Sequence, residues 1–164
     1  MNLPIPHEHL DDCKNYADIF EVVKRAVRKS LGKERAGLML YLGNLPLNVA
    51  AYHQLASNGI VINKRLLNLM ARSAESVNEV NSYIFMLLLH EYLHSLGYVD
   101  EREVDKLVYD ISRDALGDDH PATQMALRPA LPRRMFPSDM QPTNGDLDLE
   151  LIKDFERSNQ SYIS

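Results

Sequence analysis

The stretch LLLHEYLHSLGYVDEREVD, residues 87–105, sets two histidines and a glutamate into a run of leucines. His90 and His94 are four residues apart, so a helix carries both imidazoles on one face, one turn above the other. An H-x-x-x-H pair alone is common, and a single buried histidine is ordinarily a satisfied core residue. Three features shift the reading to a metal centre: Glu91 directly after the first histidine, the apolar surroundings, and Gly97 three residues after His94. Three ionisable side chains in an apolar helix are costly without such a role.

Zinc suits this donor set. Imidazole nitrogen is a preferred zinc ligand, and a catalytic zinc needs three protein ligands with water in the fourth position. Glu91 projects beside such an ion rather than toward it, which makes it the candidate general base. One Zn2+ ion is therefore expected, held by His90, His94 and a third protein ligand.

Working outward, Ser76 and Glu79 have the capping-box form and Gly97 supplies a stop, predicting a helix over about 77–96 that is apolar on nearly every face. Asp100 and Glu103 repeat the capping pattern and open a further helix with Val104, Leu107, Val108, Ile111 and Ala115 on one side. Upstream, Tyr16, Ile19, Phe20, Val23, Ala26, Val27 and Leu31 recur at helical spacing before Gly32, which predicts a first helix over 15–31. GLMLYL, residues 37–42, suits a buried strand. AAYHQLA and IVINKRLL flank Ser57-Asn58-Gly59 and predict a hairpin whose second strand covers Ile60 to Leu66.

Beyond Gly117 the prolines at 121, 129, 132, 137 and 142 predict an irregular surface segment. Residues 147–157 read as a short helix that docks on the domain or on a partner, or covers the cleft and keeps it latent, with a packed helix or mobile tail as the plainer reading. The organisation expected is one α+β domain over 1–116, followed by a proline-rich segment and tail over 117–164 packed on or near it.

The 164 residues are enough for a core without structural staples. Hydrophobic residues at 45% and charged residues at 25% are ordinary for a soluble globular protein. The net charge of −5, with no Lys/Arg run beyond two, carries no nucleic-acid footprint. Cys13 is the only cysteine, so an internal disulfide and a cysteine zinc cage are both excluded. MNLPIPHEHLDD lacks the form of a secretory signal, and the longest apolar run, Ile84 to Leu89, is too short for a bilayer; a cytoplasmic protein without a membrane partner is expected.

HEYLH resembles the HExxH signature of zincin metallopeptidases, and HEYLHSLGYVD extends the likeness to HExxHxxGxxD, the metzincin-type arrangement. The resemblance implies a single zincin-like domain: a small mixed sheet, a buried active-site helix and a following helix. It also implies peptide hydrolysis of a peptide or protein substrate, with Asp100 as third ligand. A second mapping reads Glu101 to Asp105 as the E-x-x-x-D of gluzincins, where the glutamate ligates zinc and the aspartate orients the first histidine. The glycine spacing favours Asp100 over Glu101.

In zincins the edge strand before the active-site helix pairs with an extended substrate, and Ile60 to Leu66 stands in that place. A metzincin also carries a methionine beneath the metal; Met125, Met135 and Met140 lie downstream, none in a decisive context. Tyr98 reads as a packing tyrosine or an oxyanion donor, Cys13 as a bystander or a zinc-blocking thiol. His7, His9, His53 and His120 read as surface or turn residues. Two rivals stand beside the peptidase: a non-catalytic zinc-bound scaffold with a peptide groove, and a metal-dependent ribonuclease similar to rRNA-maturation proteins, which lack the glutamate after the first histidine.

Overall fold

The computed structural model describes residues 9–53, 57–127 and 149–156. Asn15 begins the first helix by accepting the Asp18 amide at 2.8 Å, and α1 (Tyr16–Leu31) ends at Gly32, whose φ of 67° is the left-handed stop. Three strands follow, β1 (Met39–Gly43), β2 (Ala51–His53) and β3 (Gly59–Asn63), then α2 (Lys64–Ser73), α3 (Val77–Ser95), α4 (Glu101–Leu116), α5 (Pro121–Leu127) and β4 (Glu150–Ile152). The sheet order is β2-β3-β1-β4, with β1 parallel to β3 and the other two pairings antiparallel. The architecture is α+β, a small mixed sheet against helices.

Alternation along the strands builds two faces. Leu40, Leu42, Ile60 and Ile62 turn into the main core with α1 and α3, while Val61 packs with Leu45 and Val49 on the other side. The helix α3 runs through the middle, touching α1, α2, α4, α5, β2 and β3, and is buried from Asn81 to His94. Tyr92 meets Phe20 edge to face at 5.4 Å. Each fully buried side chain of this kind contributes about 1.5–3 kcal/mol. No helix among the described residues is long and apolar enough to cross a membrane.

The sequence predicts a strand through Leu66, but β3 stops at Asn63. This side chain is fully buried; its amide donates to the carbonyls of Leu45, Pro46 and Val49, and its oxygen accepts the amide of Arg65. Asn63 therefore caps α2, and Leu66 and Leu67 turn into the core as helical residues. The hairpin pairs Tyr52 with Val61, yet its strands are joined by residues 54–58 rather than by a two-residue Asn-Gly turn. β3 also lies between β2 and β1, so the end strand beside it is β2, not Ile60 to Leu66.

Two corrections fall after Gly117. Pro121 opens α5, since proline lacks the N–H that a first helical position leaves unpaired, and Ala122 and Ala126 enter the core. Residues 150–152 form a strand on β1 instead of a helix. Leu147, Leu149 and Leu151 alternate with acids, the period of a strand. Phe155 then stacks on Phe20 at 4.3 Å, and Lys24 pairs with Glu156 at 2.6 Å and Glu21 at 2.8 Å. The described tail thus extends the sheet at the end opposite β2.

Candidate metal centre

The site is assembled at the corner between α3 and α4. Ser95 ends α3, and Gly97 at φ 105° reverses the chain; its amide donates to the His94 carbonyl at 3.0 Å, and the Tyr98 amide to that of Leu93 at 3.2 Å. The turn swings the Tyr98 carbonyl under His94, 2.7 Å from Nδ1. A carbonyl only accepts, so Nδ1 of His94 carries a proton there and Nε2 is the nitrogen turned to the site.

Asp100 begins α4 by accepting the Arg102 amide at 2.9 Å. It is a helix cap and does not join the histidines. Glu101, one residue on, does: Oε1 lies 2.8 Å from His94 Nε2 and Oε2 lies 3.1 Å from His90 Nε2. The two Nε2 atoms are 3.2 Å apart. Asp105, one turn further along α4, places Oδ1 3.7 Å from His90 Nδ1.

Three ligand atoms, from His90, His94 and Glu101, therefore converge within 4.8 Å of one another. Four donors about 2.05 Å from a zinc ion at tetrahedral angles stand about 3.3 Å apart. The two Nε2 atoms, 3.2 Å apart, stand close to that edge, and Glu101 sets one oxygen against each of them, so the two imidazoles and the carboxylate form a donor set that could hold a metal ion. His94 Nδ1 is committed to the Tyr98 carbonyl, whereas His90 Nδ1 has no hydrogen-bond partner among the described residues; wherever Nε2 lone pairs face the carboxylate, they repel it unless positive charge stands between them. Protons can supply it: burial raises the Glu101 carboxyl, but hydrogen bonds from His90 and His94 hold it down to about 2. A divalent cation satisfies all three donors together.

Glu91 faces inward beside this cluster and is 2% exposed. Burial pushes its carboxyl well above the usual range and the negative charge of Glu101 adds to the shift; Oε2 has no hydrogen-bond partner among the described residues. A carboxylate so placed takes up a proton readily, the property a general base needs.

His53, expected as a surface or turn residue, is instead buried on a strand. It is 6% exposed on β2, with Nε2 3.0 Å from the Ser57 carbonyl, and lies near enough to His94 for the two rings to interact electrostatically. Only the pairing of β2 with β3 brings it there, and a lone histidine in an alternating segment carries no such mark. Tyr98 contributes its carbonyl, while its ring lies under the Lys33 ammonium at 4.5 Å.

The remaining candidates stand apart. Cys13 bonds the His9 carbonyl, and its own carbonyl accepts from Asn81, about 13 Å of helix from His90. His120 receives the Ala122 amide at the start of α5, Met125 packs on the core, and His7, Met135 and Met140 lie outside the described residues. No protein-family model matches the chain, and no curated protein or solved structure is significantly similar to it.

Proposed function

We propose that the protein is a zinc metallopeptidase of zincin-like type, with His90, His94 and Glu101 as the metal ligands. The carrying observation is the convergence of two imidazole nitrogens and a carboxylate beside a buried, proton-seeking Glu91. The resemblance of HEYLH to HExxH, and of Glu101 to Asp105 to the gluzincin E-x-x-x-D, supports the reading. Asp105 then serves to orient His90, and Tyr98 to orient His94.

Zinc held there would lower the pKa of water toward about 7 and polarise a peptide carbonyl. Glu91 takes the proton that the attacking water loses and passes it to the departing amine. An extended substrate lies beside β2, the end strand that packs on α3, and gains main-chain hydrogen bonds as an added strand.

Zinc analysis and a quenched peptide library test this directly. Native protein is expected to carry about one zinc and to cut, and Glu91→Ala to keep the zinc while losing at least about 100-fold in kcat. Stoichiometric zinc with no cleavage by native protein would leave the non-catalytic scaffold as the better reading. Unchanged zinc content in His90→Ala would remove the metal centre itself.

A further inference from the structure

Arg35 lies in the connection between α1 and β1 and reaches three separate parts of the fold. Its guanidinium donates to the Ser95 carbonyl at 2.7 Å, to the Ser57 carbonyl at 3.2 Å and to Asn58 Oδ1 at 2.9 Å. Its backbone N–H donates to the Tyr92 hydroxyl at 2.9 Å. Ser95 follows His94 directly, so its carbonyl is one of those a helix end leaves without an intrahelical partner.

Ser57 and Asn58 belong to the connection between β2 and β3. The Ser57 carbonyl is shared with His53 Nε2, and the Asn58 carbonyl accepts the Met39 amide at 2.7 Å, where β1 begins. The acceptors diverge, and a planar fork of five donors bridges them where an ammonium would serve one or two. Tyr92, which receives the backbone N–H, sits two residues before His94. One half-buried side chain thus ties the end of the metal-bearing helix to the hairpin that carries β2.

We propose that Arg35 is a positioning residue that fixes the β2–β3 hairpin against the C-terminal turn of α3 and so holds the end strand β2 in place for the substrate strand proposed to pair with it. The kinetic consequence rests on the peptidase reading; the mechanical one does not. Loss of the side chain loosens the wall on which a substrate strand lies, while His90, His94, Glu91 and Glu101 keep their places.

The test compares native protein with Arg35→Ala and Arg35→Lys, both of which keep the backbone bond to Tyr92. In Arg35→Ala the amides of β2 and of residues 57–60 are expected to exchange with solvent about tenfold faster, with those of 86–94 unchanged. Zinc stoichiometry stays native, KM for peptides rises about tenfold, kcat moves less than about twofold, and Arg35→Lys recovers only part of the loss. Unchanged exchange in the hairpin, or a fall in kcat with KM unmoved, would overturn the proposal. If native protein binds zinc and cuts nothing, the peptidase reading fails alone and the exchange measurement still decides on Arg35. Should Arg35→Ala not fold, the same two readouts on Arg35→Lys decide it.

Discussion

Asp100 and Glu101 are adjacent acids separated by one step of helix phase. The glycine spacing points to Asp100 as the expected third ligand, yet it is Glu101 that reaches the histidines, because the outcome depends on which residue caps α4. Asp100 accepts the Arg102 amide and is committed as the cap; Glu101, on the first turn, is rotated toward the histidines. Asp100→Ala is therefore expected to cost about 1 kcal/mol in denaturant unfolding with zinc retained. Glu101→Gln is expected to lose most of the zinc, measured by elemental analysis after dialysis. In metal-free protein the Glu101 carboxyl is held to about 2, below its ordinary value near 4.5. Its stabilising contribution is thus fully present above about pH 4.5 and lost as pH falls toward about 2. The Glu101→Gln penalty in metal-free protein should accordingly shrink as pH falls across that window.

The elements most readable in the sequence are those whose caps and periodicity agree. α1 runs from its Asn15 cap to Gly32, and α3 from Ser76 to the turn at Gly97, close to the bounds the pattern sets. The hairpin is legible as a pairing but not in its bounds. IVINKRLL continues a β-favouring run past Asn63, and only the three carbonyls of residues 45, 46 and 49, brought there by the chain's return, make Asn63 a cap. Asn63→Ala strands those buried acceptors and is expected to cost at least about 2 kcal/mol in urea unfolding. Asn63→Asp should be no better at neutral pH, since a carboxylate cannot donate to them. The strand at 150–152 is a different failure: its period-two pattern is visible, but the pairing partner is about 110 residues upstream.

At the scale of the whole molecule, residues 149–156 belong to the body of the fold. Phe155 is buried against Phe20, Lys24 is paired with Glu156, and β4 widens the sheet at the end away from β2. Deleting residues after 148 is expected to lower the unfolding temperature without raising peptide cleavage. Phe155→Ala alone should cost about 3–5 kcal/mol by the cavity it leaves. A gain in cleavage on deletion would instead restore the latency that the sequence suggests for this tail.

The sheet and the proposed metal centre differ in how much chain each must gather. β1 waits for residues 150–152, whereas His90, His94 and Glu101 fall between residues 90 and 101, joined by the short turn at Gly97. Closing so short a loop costs little chain entropy compared with closing one of about 110 residues. During synthesis the donor set is therefore complete on the nascent chain while the last strand is still unmade. If the proposed centre binds a metal, the α3–α4 corner is a unit that can take it up before the protein around it is finished.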